Sequence, residues 1–193
     1  TLIGGTQTIL SGGSASSTII SSGGLENIAN GGADSATTIN SAGTQNISSG
    51  GIALSTTVNT SGLQNISNGG LASSATLIGG TQTLLSGGTA ISTTVSSGGL
   101  QTVNGGATVN GLSLLSGGTQ GLQSGASVTS TTVNTSATQV VGNAGVAISS
   151  ILSGGTQSIS SGGIGSSTVI SSGGIENISN GGSAVATIVN SAG

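Results

Sequence analysis

Residues 4–22 read GGTQTILSGGSASSTIISS, and a variant of this stretch begins again about every 19 residues. The opening GGTQ returns unchanged at Gly79 and Gly154. A fixed period of roughly 20 residues is typical of a solenoid, in which each unit buries its apolar face against its neighbours. Successive units begin at Gly4, Gly23, Ala42, Ser61, Gly79, Gly98, Gly117, Ser136, Gly154 and Gly173.

Two segments of each unit alternate aliphatic and polar residues. In the first unit, Gln7 and Ile9 are two residues apart, as are Thr18 and Ile20, and this spacing places both members on one face of a strand. The aliphatic member recurs in every unit, which predicts two aliphatic ladders inside the fold. The sixth position is Ile9, Ile28, Ile47, Ile66, Leu84, Val103, Leu122, Val141, Ile159 and Ile178. The seventeenth is Ile20, Ile39, Val58, Leu77, Val95, Leu114, Val133, Leu152, Ile170 and Val189.

The pattern predicts an all-β protein, a right-handed parallel β-helix of about ten coils of 18–19 residues. The β-branched residues favour strands, and this density of Gly disfavours helices. Each coil would hold two or three short strands, with Gly-Gly pairs at the corners because Gly accepts a positive φ. We expect one repeat array over 1–193, less regular near 98–153, where the coil either widens or bends.

Amide side chains form a further row. The fourth position of every unit is Gln or Glu, which predicts either a ladder of stacked amides or a ligand-binding stripe. A stripe of exposed amides would follow if the asparagines of two further positions alternate to solvent. These are Asn27, Asn46, Asn65 and Asn177, next to the Gln or Glu, and Asn40, Asn59, Asn134 and Asn190, after the second strand. The fourth-position residues are Gln7, Glu26, Gln45, Gln64, Gln82, Gln101, Gln120, Gln139, Gln157 and Glu176.

Composition excludes several classes of function. The chain has no Lys, Arg or His, and its net charge is −3. It therefore has no side chain that neutralises phosphate, which excludes nucleic-acid binding and attraction to anionic lipid. No apolar run reaches the length of about 20 residues that spans a membrane as a helix. With no Met and no secretory signal, we expect an excised stretch of a longer polypeptide.

Catalysis also lacks its usual groups, so we do not expect an enzyme. Only Glu26, Asp34 and Glu176 ionise, and no His, Lys, Cys or Tyr is present to activate a hydroxyl. Glu26 and Glu176 lie eight coils apart, about 38 Å along the rod, whereas Glu26 and Asp34 share one coil. One Asp cannot supply a calcium-binding repeat. We predict no catalytic residue, cofactor or metal site.

The repeats resemble the passenger repeats of AIDA-type self-associating autotransporter adhesins. The resemblance is carried by GG[TL][QE]xI, a second GG and then Thr-x-Val, as in GGTQTILSGG (4–13), GGLENIANGG (23–32) and GGIENISNGG (173–182). It implies a β-helix exported through the bacterial outer membrane and displayed on the cell surface. It also implies roles in autoaggregation, biofilm formation and adhesion to host receptors or glycans.

The same resemblance implies O-heptosylation of Ser and Thr by a bacterial heptosyltransferase. We predict that the serines before Gly-Gly are the acceptors, because corner residues are exposed and locally flexible. The alternative is that these serines only help to form the turn. The candidates are Ser11, Ser22, Ser49, Ser86, Ser97, Ser116, Ser153, Ser161 and Ser172.

Such a solenoid could also bind ice, act as a purely structural rod or process polysaccharides. Thr recurs at Thr18, Thr37 and Thr56, as it does in ice-binding solenoids, but its partner two residues on is aliphatic, which predicts an interior position. A purely structural surface rod stays open, and a polysaccharide-processing enzyme lacks catalytic groups. We also expect self-association, because the first and last coils of a solenoid leave unpaired strand edges.

Overall fold

The fold is known from a computed structural model that describes residues 1–123 and 125–190. The predicted span 1–193 also includes Ser124 and residues 191–193, which lie outside the described residues. The described part contains 29 short strands and no helix. In chain order they are β1 (Leu2–Ile3), β2 (Thr6–Ile9), β3 (Ser14–Ser16), β4 (Ile19–Ser21), β5 (Leu25–Ile28), β6 (Ala33–Ser35), β7 (Thr38–Ile39), β8 (Thr44–Ile47), β9 (Ile52–Leu54), β10 (Thr57–Asn59), β11 (Leu63–Ile66), β12 (Leu71–Ser73), β13 (Thr76–Ile78), β14 (Thr81–Leu84), β15 (Thr89–Ile91), β16 (Thr94–Ser96), β17 (Leu100–Val103), β18 (Thr108–Leu114), β19 (Thr119–Leu122), β20 (Ser127–Asn134), β21 (Thr138–Val141), β22 (Val146–Ile148), β23 (Ile151–Ser153), β24 (Thr156–Ile159), β25 (Ile164–Ser166), β26 (Val169–Ser171), β27 (Ile175–Ile178), β28 (Ser183–Val185) and β29 (Ile188–Val189).

The strands stack in three parallel ladders along the rod. The first ladder contains β2, β5, β8, β11, β14, β17, β19, β21, β24 and β27. The second contains β3, β6, β9, β12, β15, β22, β25 and β28, and the third contains β1, β4, β7, β10, β13, β16, β23, β26 and β29. Strands β18 and β20 run through both the second and the third ladder, and so join them into one sheet.

The register follows the sequence period. Ile28 pairs with Ile47, and Ile66 pairs with Leu84 although that step along the chain is one residue shorter. Each coil thus bonds in parallel to the next through its own equivalent residues. This arrangement confirms the predicted parallel β-solenoid of about ten coils.

Both predicted aliphatic ladders line the interior. Their members from Ile9 and Ile20 to Ile159 and Ile170 are buried, and most are completely inaccessible. In the last coil, Ile178 is 50% exposed and Val189 is 64% exposed, because no later coil among the described residues covers them. The prediction of interior ladders is therefore confirmed for nine coils, and the last coil departs from it.

A third interior row lies in the second ladder and consists mainly of small residues. Gly165 shows why: a Cβ there would lie 2.6 Å from Cδ1 of Ile159, since the large side chains of the first ladder fill this side of the interior. The two-ladder prediction did not include this row. Its members are Ala15, Asp34, Ala53, Ala72, Ala90, Val109, Val128, Ala147, Gly165 and Ala184.

Three corners separate the ladders. The first corner lies between the first and second ladders, the second corner between the second and third, and the third corner between the third ladder and the next coil. At the first corner, Gly51 packs so closely on the previous coil that a Cβ would lie 2.3 Å from the carbonyl oxygen of Ile28. The second Gly of this pair is needed for close approach rather than for a positive φ.

The section near 98–153 differs in its corners and keeps its register. Ala107, Ala126 and Ala137 replace the second Gly of the pair, and Ala107 still donates its N–H to the Asn104 carbonyl over 3.1 Å. The extended β18 and β20 replace two shorter strands each. The predicted irregularity is thus a local change of corner conformation within a continuous ladder.

Candidate functional surface

The first-corner turns at Ser49 and Ser161 share one conformation that presents Ser to solvent, whereas Ser11 and Ser86 do not have its positive φ. In the turn from Ser48 to Gly51, the N–H of Gly51 donates to the carbonyl of Ser48 over 2.8 Å. Ser49 has φ 50° and Gly50 has φ 79°, the two positive values of a type I′ turn. Asn occupies the serine position at Asn30, Asn68 and Asn180, with similar φ values. The serine is therefore at the tip of a tight turn.

Eight of the nine predicted acceptor serines lie in exposed turns. Ser11, Ser49, Ser86 and Ser161 lie at the first corner, and Ser22, Ser97, Ser116 and Ser172 lie at the third corner. The candidates thus form rows along two different edges of the rod. Their side chains point away from the interior, as acceptors would have to do.

Ser153 is the exception, and its predicted corner position is wrong. It is the last residue of β23, pairs with Asn134 and Ser171, and is only half-buried. The third corner of this coil is one residue shorter than usual, so that Gly154 and Gly155 alone connect β23 to β24. The shorter corner moves the serine from the turn onto the strand.

The second corner carries a row of exposed serines that the sequence analysis missed. Each coil turns there on one residue in the left-handed region, with φ between 54° and 72°. In seven coils the sequence marks this position by a Ser immediately before a buried Thr, Ser or Ala. The row consists of Ser17, Ser55, Ser74, Ser92, Ser130, Ser149 and Ser167, with Ala36, Gly111 and Ala186 in the other coils.

The fourth-position amides form the predicted structural ladder inside the rod. Each Nε2 amide donates to Oε1 of the glutamine one coil earlier, over 2.6–2.8 Å for Gln64, Gln82, Gln101, Gln120 and Gln139. The glutamines from Gln45 to Gln157 have no exposed surface. Since no ligand can reach buried amides, the alternative of a ligand-binding stripe is wrong for these residues.

The recurrent threonines are interior as well. Thr37, Thr56 and Thr168 are buried, and Thr56 and Thr168 donate their hydroxyls to the glutamine of their own coil over 3.3 Å. A threonine that faces the core cannot contribute to an ice-binding lattice. The outward positions two residues apart on the first ladder vary along the described coils, from Thr6 and Thr8 to Leu25 and Asn27.

Outward, half-buried asparagines form short amide ladders on the surface. Asn65 donates to Asn46 and Asn46 to Asn27, each over 3.0 Å between Nδ2 and Oδ1. On the third ladder, Asn59 donates to Asn40 over 2.9 Å. Parts of two outer faces therefore present ordered amide groups at the spacing of the coils.

Two of the three carboxyl groups meet in the interior. Gln45 Nε2 donates to Glu26 Oε2 over 2.7 Å and to Asp34 Oδ2 over 3.1 Å, and Thr37 Oγ1 also donates to Asp34 Oδ2. Burial, together with the nearby charge of Asp34, raises the pKa of Glu26 to about 7, against the lowering effect of the Gln45 bond. Burial also raises the pKa of Asp34, although the bond from Thr37 lowers it.

This carboxyl pair offers no route for a substrate. Both side chains are buried, and no pocket opens anywhere in the described part of the chain. Residues 1–123 and 125–190 also contain no group of three acidic, Cys or His side chains that could hold a metal ion. In the same residues, no helix is long and apolar enough to cross a bilayer.

The fold and its surface define a class of protein, a parallel β-solenoid with exposed hydroxyls along its edges and no substrate pocket in the described residues. A family model described as an adhesin of the bacterial autotransporter system, a probable stalk, matches residues 3–43. A crystal structure of a TibC-catalysed, hyper-glycosylated TibA fragment is 35% identical to this chain. The match covers 99% of this chain and 84% of that fragment, with a TM-score of 0.63. A comparison with curated protein sequences gives no match.

The chain therefore belongs to the AIDA-type passenger repeats of bacterial autotransporter adhesins. The family places it among structural passenger segments.

Proposed function

We propose that this chain is a length of surface-displayed adhesin stalk that supports autoaggregation, biofilm formation and adhesion to host receptors or glycans. The observation that carries the proposal is the rows of exposed turn serines on a rigid solenoid that resembles a glycosylated relative. A rod held by continuous backbone ladders keeps its edges at fixed spacing, so that groups attached there are presented as an array. The ordered amide stripes offer a second polar surface for contact with sugars.

We further propose that the turn serines are O-heptosylated by a bacterial heptosyltransferase. Eight candidates combine an exposed side chain with a turn that protrudes beyond the strands. The relative that matches 99% of this chain carries sugars added by TibC catalysis. A transferase needs access to the hydroxyl oxygen from outside, and strand hydroxyls directed into the core do not offer it.

Co-expression with a heptosyltransferase should add one heptose to each of several turn serines. Mass spectrometry of elastase peptides is suitable, because the chain has no Lys or Arg for trypsin. Ser49→Ala should remove one increment from its peptide, whereas the control Thr56→Val, at a buried position, should remove none. We expect no modification at Ser153. Heptose found mainly on Thr18, Thr37 and Thr56, or only on the second-corner serines, would contradict the assignment.

The chain should also associate end to end through its last coil. Ile175, Ile178 and Val189 are at least half-exposed there, and within the described residues β27 and β29 each pair with one strand only. A second copy whose first coil stacked on this surface would pair both edges and cover the aliphatic side chains. Light scattering at increasing concentration should show growing oligomers, and the double variant Ile178→Asn with Val189→Asn should reduce them. A strict monomer at high concentration would count against the proposal.

A further inference from the structure

Glu26 and Asp34 form a carboxyl pair that is sealed inside the second coil. Glu26 lies on the first ladder and Asp34 on the second, and both have at most 1% of their surface exposed. The amide nitrogen of Gln45 contacts one oxygen of each group, over 2.7 and 3.1 Å. Their other oxygens, Glu26 Oε1 and Asp34 Oδ1, are buried without a hydrogen-bond partner. Strands β5 and β6 of one coil thus each contribute a buried carboxyl oxygen without a hydrogen-bond partner.

Nothing around the pair supplies a compensating charge. Gln7 on β2 and Gln45 on β8 are neutral, as are Ala15 and Ala53, which pair with Asp34 on β3 and β9. Thr18, Thr37 and Thr56 are the interior hydroxyls of these coils. The chain has no basic side chain, and its third carboxyl group, Glu176, lies eight coils away. A doubly ionised pair would therefore be left uncompensated in a low-dielectric interior.

A proton fits this site better than a metal ion does. The amide nitrogen of Gln45 already donates to Glu26 Oε2 and Asp34 Oδ2, which leaves a cation only one oxygen of each carboxyl group. Amide hydrogens repel a cation at that point, and only two carboxyl groups are present. A hydrogen shared between the carboxyls lets one act as donor to the other, and it removes a buried charge. Aspartyl pairs that share one proton follow the same logic.

The Glu26–Asp34 pair lies in the second coil, so its protonation state affects the stability of this end of the rod. Each coil of a solenoid contacts only its neighbours, so that a weakened coil opens without unfolding distant ones. Coil 1 is attached to the rest of the described chain through coil 2, which contains the pair. A change in the stability of coil 2 therefore acts on the first two coils together.

We propose that the native solenoid buries the Glu26–Asp34 pair in a protonated form, and that loss of this proton opens the first two coils. The consequence is a pH-sensitive segment at one end of the rod. Its direction follows from burial. The pKa of Glu26 rises from 4.5 to about 7 on folding, so between these values the folded chain holds more protons than the unfolded chain. Stability of this segment falls as the pH rises through that window and levels off above it.

Amide hydrogen exchange, corrected for intrinsic rates, tests the proposal coil by coil. From about pH 5 to about pH 8, we expect the opening constant of coils 1 and 2 to rise on the order of 100-fold, and that of coils 6–8 to stay flat. Glu26→Gln should abolish the rise, because a glutamine continues the amide ladder without a charge. Asp34→Ala, which installs the residue of the neighbouring coils, should reduce it. Glu176→Gln is the matched control and should leave it unchanged.

Infrared spectroscopy supplies an independent readout of the proton. A carboxylic-acid carbonyl band should be present in the folded protein near pH 6 and should be weaker in Glu26→Gln. Absence of the band in the unaltered protein would overturn the proposal, as would a pH-independent opening of coils 1 and 2. An equal rise in Glu26→Gln would overturn it as well, because the pair would then not be its source.

Discussion

Replacing Ile47 by alanine should destabilise the solenoid by about 4 kcal/mol, since a fully buried aliphatic side chain is removed from the middle of an interior ladder. The neighbours Ile28 and Ile66 are fixed by parallel backbone pairing on both sides, so they cannot collapse far into the space. Guanidinium denaturation followed by far-UV circular dichroism measures the effect as a lower midpoint.

Thr44→Ala is the matched control for Ile47→Ala. Thr44 lies on the same strand, β8, and its side chain points outward. It should cost less than about 1 kcal/mol, the usual range of strand propensity. Equal effects of the two substitutions would show that Ile47 is not a core residue. Because long repeat arrays can unfold in stages, hydrogen exchange in coils 2–4 should confirm where the stability is lost.

Replacing Gln101 by leucine should cost about 2–5 kcal/mol although it keeps the side-chain volume. The change removes the donor to Gln82 Oε1, at 2.7 Å, and the acceptor of Gln120 Nε2, at 2.8 Å. Both groups stay buried, and a buried polar group without a partner costs about 1–3 kcal/mol. The same denaturation midpoint measures this loss, and hydrogen exchange should locate it in coils 5–7.

Thr102→Val separates the amide ladder from general sensitivity of this strand. Thr102 is the next residue on β17, it points outward, and it is half-buried. We expect little change there, because valine has a strong preference for strands. A neutral Gln101→Leu would mean that the amide ladder contributes no net stability.

The repeat itself makes much of this protein readable from its sequence. A period of about 19 residues, with aliphatic residues at two fixed positions, is enough to predict stacked coils and interior ladders. The row of Gln and Glu predicts the amide ladder by the same reasoning, because identical side chains in register must meet in a parallel stack. The exposed turn tips at Ser49 and Ser161 follow from the Gly-Gly pairs beside them.

Features that depend on the conformation of the corners could not be predicted from the repeat pattern. Ser153 carries the same Ser-Gly-Gly signature as the exposed serines, yet a corner shortened by one residue places it on a strand. The serines of the second corner lack a neighbouring Gly-Gly pair, and their exposure rests on a single left-handed residue per coil. Ile178 and Val189 hold the same places in the repeat as buried residues, yet they are exposed because no later coil among the described residues covers them.

The repeat pattern encodes how successive coils stack, whereas the contacts across the interior of one coil depend on the folded structure. Contacts between coils join equivalent residues one period apart, so a linear pattern records them. Contacts across a coil join different ladders, and the three corner conformations set their distance. Glu26 and Asp34 illustrate the difference: they lie on separate strands and converge on the one amide of Gln45 only because the coil bends at the first corner between them.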